Sequence, residues 1–178
     1  IGAIEHAFQR LGLNTEIIFA GDIDEKCKKS YFANYNIDES RWHSDIHTFD
    51  ATPFKGNVDI FVGGAPCQAF SMVGKRKGFE DTRGTLFYEY ARLFKEIKPK
   101  VFIYENVQGL LQHDRGKTWE VIKAVFDDLG YCLSTMVLDA KDCGIPQTRR
   151  RLLVVGIRDY NKQVEPPKPV ELKYTLQD

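Results

Sequence analysis

Three short clusters in the 178-residue chain hold side chains able to do chemistry. The first is Gly63-Gly64-Ala65-Pro66-Cys67-Gln68, where an apolar run enters two glycines and a proline stiffens the turn just before a cysteine. A thiol presented in this way is a candidate nucleophile, because a thiolate both attacks readily and leaves readily. Most single cysteines are small core hydrophobes, and that reading stands beside the first, although a core cysteine has no need of such a turn. The second cluster is Tyr104-Glu105-Asn106-Val107. A carboxylate closing an apolar strand is desolvated and held partly protonated, as a general acid requires. Its plain alternative is a loop cap or a surface ion pair. The third is Pro146-Gln147-Thr148-Arg149-Arg150-Arg151, running into a strand. Alternation sends Arg149 and Arg151 to one face and Arg150 to the other, and a solvated basic edge is the plain alternative.

Such clusters need elements to hold them. Ile4, Ala7, Phe8 and Leu11 recur at helical spacing and Gly12 ends the run. Residues 16–20 read as a short strand, and Asp24 as the cap of a helix through Cys27 and Tyr31. Residues 58–62 read as a buried strand. A helix is expected from Thr85, with Leu86, Tyr90, Leu93, Phe94 and Ile97 on one face, ended by Lys98-Pro99. Residues 101–104 form the next strand, and Thr118 is expected to cap a helix with Ile122, Val125, Phe126 and Leu129 inside. Two late strands, around residues 136–138 and 152–155, flank a polar connection. Alternating elements with apolar strands predict an α/β fold: an open, mostly parallel sheet with helices on both faces. In such sheets ligands bind beyond the carboxyl ends of the strands, where the polar clusters fall. The chain opens on Ile1-Gly2-Ala3 as if inside a glycine-rich turn, so a first strand is expected to be missing.

Composition narrows the classes. Hydrophobic residues at 43% and charged residues at 28% indicate a soluble globular domain. With 25 basic and 25 acidic residues, any contact with nucleic acid must be local. Cys27, Cys67, Cys132 and Cys143 lack CxxC or zinc-ligand spacing, so no metal is expected, and a reducing cytoplasm is the expected compartment. No apolar run is long enough to cross a bilayer, so no membrane partner is expected. None of His6, His43, His47 and His113 has a motif that would make it the base of a cysteine hydrolase.

In this order and spacing, the clusters resemble the cytosine-5 DNA methyltransferases over essentially the whole chain. Gly64-Ala65-Pro66-Cys67-Gln68-Ala69-Phe70-Ser71 is similar to that family's nucleophile motif. Residues 77–87 resemble the segment closing its catalytic loop. Glu105-Asn106-Val107 and Gln147-Thr148-Arg149-Arg150-Arg151 resemble two further catalytic motifs.

The resemblance implies a Rossmann-like fold that uses S-adenosylmethionine, and a reaction at C5 of a cytosine flipped out of double-stranded DNA. By resemblance Cys67 adds to C6, Glu105 holds N3 and the amino group, and Arg151 and Arg149 hold the base carbonyl and the loop. Asp22 is expected on the cofactor ribose, Ile23 on the adenine face, Asp45 and Ile46 at the adenine edge. Gly2, Pro66 and Leu86 are expected to line the same cofactor. Gln68, Ser71, Lys75, Arg76 and Lys77 are the expected DNA contacts, the last three through phosphates. Residues 1–163 are expected to be a partial catalytic domain, and 164–178, with Pro166, Pro167 and Pro169, a linker toward an absent recognition domain. The stretch alone is expected to be inactive, in a bacterial or phage restriction-modification or orphan setting. RNA cytosine methylation and a non-catalytic remnant remain as alternatives.

Overall fold

A computed structural model describes residues 2–65 and 86–173 of the chain. They fall into two compact units, Ile1–Ala51 and Thr52–Asp178.

The first unit opens with α1 (Ala3–Arg10), which ends in a left-handed glycine. Gly12 has φ 68°, its N–H bonds the Gln9 carbonyl, and the Leu13 N–H reaches back to Phe8. This pair of bonds satisfies carbonyls that the helix end would otherwise leave open. Helix α2 (Glu25–Asn34) follows, and the Asp24 carboxylate accepts from the Lys26 N–H at 2.8 Å, as a cap should. Residues 16–20 are corrected from a strand to an extended segment, since only Ala20 makes a ladder-type bridge, to Trp42. Its apolar residues serve packing instead: Phe19 meets Phe49 with ring centres 5.0 Å apart. Tyr31 and Trp42, 5.4 Å apart, form the buried centre of this unit.

The second unit holds the sheet. Strand β1 (Ile60–Gly63) leads toward the Cys67 cluster, and α3 (Leu86–Ile97) packs its apolar face inward. Lys98, with φ 52°, and buried Pro99 turn the chain into β2 (Val101–Val107). Helix α4 (Lys117–Asp128) comes next, followed by β3 (Tyr131–Asp139) and β4 (Arg150–Arg158). Gly116, at φ 86°, stands at the start of α4 where Thr118 was expected. A glycine takes that left-handed entry without cost, and the Thr118 hydroxyl lies 2.6 Å from His113 Nδ1 instead. Trp119 is half-buried on α4, so each unit carries one of the two tryptophans.

The sheet order is β1-β2-β4-β3. The α/β class stands, and the sheet is mixed rather than purely parallel. Strand β1 runs parallel to β2, while β4 is antiparallel to both β2 and β3. Only ten residues, Ala140 to Arg149, join β3 to β4, too few for the crossover that a parallel pair needs. Alternate residues of β2, Phe102 and Tyr104, are fully buried. Phe94 of α3 and Phe126 of α4 both close on Phe102, with centroids 4.7 and 4.6 Å away. Both helices therefore cover the same face of β2.

Gly156 of β4 lies directly opposite Phe102 in the register, and a Cβ there would enter the Phe102 ring. Replacing Gly156 by alanine should therefore overpack the core and cost about 1–3 kcal/mol. Urea unfolding checks this, and an unchanged midpoint would show that the ring has room to move.

Candidate active site

The pleat of β2 sets the geometry at the carboxyl end of the sheet. Successive side chains point to opposite faces, so Tyr104 and Asn106 go into the core and Glu105 goes the other way. Asn106 is only 5% exposed, and all its polar atoms have partners. Its Nδ2 donates to the Ala65 carbonyl and to the Tyr104 hydroxyl, each at 2.8 Å, while Oδ1 accepts from the Val107 N–H. The backbone just ahead of Pro66 and Cys67 is thus fastened to β2 at Ala65. One residue earlier, Gly64 approaches so closely that a Cβ would strike the Glu105 carbonyl.

On the opposite face Glu105 pairs with Arg151, Nε to Oε1 at 2.9 Å, with the two side chains 47% and 26% exposed. The register explains the contact. Glu105 is opposite Leu153, and Arg151 lies two residues before it on the same face of β4. Arg151 Nη1 also donates to the Arg150 carbonyl. The Arg150 side chain takes the other face, where it reaches Asp139. Exposed Arg149 precedes β4, and its N–H donates to Asp139 Oδ1 at 2.9 Å. Glu105 is thus half-exposed and ion-paired rather than desolvated as expected from its place on an apolar strand. The two groups side by side offer an acceptor and donors, a match for a planar edge that carries an N–H beside a carbonyl.

The expected cofactor residues fall in both units. Gly2 stands at the start of α1 with φ 68°, and its carbonyl accepts from the Tyr35 hydroxyl; any Cβ would run into the Tyr35 ring. Asp22 is exposed and accepts from the Asp24 N–H at 2.9 Å, beside an Ile23 side chain that is 80% exposed. Burial, then the Asp22 and Asp24 carboxylates, raise the nearby Cys27 thiol above its ordinary range. The backbone N–H of His47, then its ring, hold the Asp45 carboxyl below the usual range; His47 Nδ1 lies 2.9 Å from Oδ1. Half-buried Ile46 follows Asp45, and Leu86 opens α3 in the second unit. Pro66, Cys67, Gln68, Ser71, Lys75, Arg76 and Lys77, together with the helix onset at Thr85, lie outside the described residues. Among the described residues no His/Cys/Asp/Glu group is arranged for a metal, and no helix is long and apolar enough to cross a membrane.

Residues 1–178 match the family described as C-5 cytosine-specific DNA methylase. The chain belongs to this family. Among curated members it is 43% identical to the orphan methyltransferase M.SPRI of Bacillus phage SPR, over 89% of this chain and 36% of that protein. It is 44% identical to the type II methyltransferase M.Eco47II of Escherichia coli, over 89% of this chain and 37% of that protein. The chain thus spans a little over a third of the length of these relatives. Its fold is that of a Spodoptera frugiperda DNMT2 variant, with TM-score 0.72 and 21% identity over 98% of this chain and 54% of the other. The Schizosaccharomyces pombe Dnmt2 structure gives TM-score 0.69 at 20% identity, over 92% and 49%.

Sequence reasoning singled out Glu105 and the arginines but gave no work to Tyr104, Asn106 or Asp139. A signal existed for each: a polar side chain in register with the buried face of an apolar strand must find partners there. Asn106→Ala removes two donated bonds and leaves the Ala65 carbonyl and the Tyr104 hydroxyl short of a partner. A loss of roughly 1–3 kcal/mol in denaturant-derived stability is expected. An unchanged stability would mean that water replaces the amide without penalty.

Proposed function

We propose that the full-length protein containing this chain methylates C5 of cytosine in DNA, with Cys67 as the covalent nucleophile. One observation carries the reading: Glu105, paired with Arg151 of the neighbouring β4, stands on β2, the strand to which Asn106 fastens the backbone just before Pro66-Cys67. Membership of the family supports it independently.

Cytosine C5 is too poor a nucleophile to attack a methyl donor unaided. Addition of the Cys67 thiolate to C6 converts C5 into an enamine-like carbon. Negative charge then develops on the ring at N3. Glu105 meets that edge, and as a carboxylic acid its proton neutralises N3 as the C6–S bond forms. Arg151 keeps Glu105 oriented and offers N–H donors to the base carbonyl. S-adenosylmethionine, when bound, would supply an electrophilic sulfonium methyl group for C5 and leave as the neutral thioether. A general base then takes the C5 proton, the C5–C6 double bond re-forms as Cys67 leaves as thiolate, and N3 returns its proton to Glu105. The base must leave the duplex stack for C6 to be reached.

The unit 1 residues fit such a cofactor. An exposed carboxylate at Asp22 suits two vicinal hydroxyl donors, and bare Ile23 offers an apolar surface for a flat ring. Asp45 and Ile46 would read the adenine edge, with Gly2, Pro66 and Leu86 lining the remainder. Gln68, Ser71, Lys75, Arg76 and Lys77 would contact the DNA. The residue 164–178 tail would lead toward a recognition domain, which would supply sequence choice.

The decisive test uses duplex DNA carrying 5-fluorocytosine, in which fluorine blocks the final elimination. With cofactor present, the full-length protein should form a covalent adduct that survives denaturation, and Cys67→Ala should form none. A normal adduct yield from Cys67→Ala would overturn the assignment.

Glu105→Gln keeps the shape and loses the transferable proton. Methyl transfer should fall by about 10²–10⁴-fold at little change in stability. Tritiated methyl incorporation within a fewfold of the parent would remove Glu105 from the chemistry.

A further inference from the structure

Asp139 closes β3 with a carboxylate buried to 6% exposure. Donors converge on it from the start of β4 and from the turn between the strands. Oδ1 accepts from the Arg149 N–H at 2.9 Å and the Lys141 N–H at 3.4 Å, and Arg150 Nε lies 3.3 Å from Oδ2. The Arg149 carbonyl in turn accepts from the Ala140 N–H at 3.1 Å. Burial alone would raise this carboxyl, but the N–H groups of Arg149 and Lys141 and then the Arg150 side chain hold it below its ordinary range. It is therefore a charged anchor with its bonds already in place.

The anchor answers a problem set by the sequence. A strand that slips by one residue turns every side chain to the other face. Along the body of β4 the register is fixed by fully buried Leu152 and Val154, and by Gly156 beneath Phe102. The first residues of the strand have no apolar anchor. There Arg149-Arg150-Arg151 places a guanidinium in either register, so the arginines alone cannot specify which of them meets Glu105. The native pairing sets Asp139 opposite Arg150, and Leu138 and Val107 beside Arg151.

We propose that Asp139 is a positioning residue: by holding the Arg149 N–H and the Arg150 side chain, it fixes the entrance of β4 so that Arg151, not Arg150, faces Glu105. The role deepens the function proposed above and rests on it only for its effect on rate. Asp139 touches neither base nor cofactor; it acts through Arg151.

The test compares the full-length protein with Asp139→Ala and Asp139→Asn. Asparagine keeps an acceptor for the Arg149 and Lys141 N–H groups, and alanine keeps none. Methyl transfer into mixed-sequence genomic DNA should show kcat at least tenfold lower in Asp139→Ala, with KM for S-adenosylmethionine within twofold. Asp139→Asn should recover to within about threefold of the parent. In ¹⁵N spectra of arginine side chains, the Arg151 Nε–H signal, protected by Glu105, should be lost in Asp139→Ala and kept in Asp139→Asn. If alanine prevents folding, Asp139→Ser takes its place: it still caps the turn at Lys141 but is too short to reach the Arg149 N–H that asparagine still holds. A protected Arg151 signal in the alanine or serine variant overturns the proposal, whatever the rate. A failure of asparagine to restore what alanine loses overturns it as well. If the parent itself transfers no methyl group, the proposed function fails, while the Arg151 signal still decides the role of Asp139.

Discussion

Strand alternation on β2 governs what this sheet can present at its carboxyl edge. Because Glu105 and Asn106 are consecutive, one must enter the core and the other must leave it. Asn106 enters, fully bonded, and draws the backbone at Ala65 onto the strand; Glu105 leaves and meets Arg151. Moving this segment of β2 by one residue would bury the carboxylate without its guanidinium and expose the amide. An unpaired buried charge is among the costliest errors a core can hold. The requirement that Gly64 lack a side chain follows from the same closeness, because β1 and β2 converge where the Glu105 carbonyl lies.

Much of this was legible in the sequence. The apolar stripe from Leu86 to Ile97 and the run from Val101 to Tyr104 gave a helix and a strand close to their observed limits. Asp24 was readable as a cap because a short carboxylate before a helical run has one economical use. The three chemical clusters stood out because polar residues at the ends of apolar strands are expensive unless employed. Other features depended on partners that are remote in sequence. Residues 16–20 have strand-like composition, yet a strand exists only where a neighbour pairs with it, and here only Ala20 is bridged. Thr118 competes with Gly116 for the start of α4, and the left-handed entry at φ 86° decides for glycine. Strand direction is invisible to periodicity, although the ten-residue link from β3 to β4 already implied a hairpin.

Charge at the site is handled by local pairing, in keeping with a chain whose formal charges cancel. Arg151 is matched to Glu105 and Arg150 to Asp139. Arg150 and Arg151 thus each have a defined orientation before any ligand arrives. Preorganised donors of this kind act without reorganisation when charge develops in a reaction.

The placement of the two indoles has a spectroscopic consequence. Trp42 lies in the aromatic centre of the first unit, and Trp119 on the outer helix of the second. In the 178-residue chain, replacing either one by phenylalanine leaves an emission signal belonging to a single unit. The pair of variants then separates the melting of the Asp22 half from that of the Glu105 half, which unfolding of the parent would blend into one curve. Whether the halves melt together or in sequence becomes directly readable without any external label.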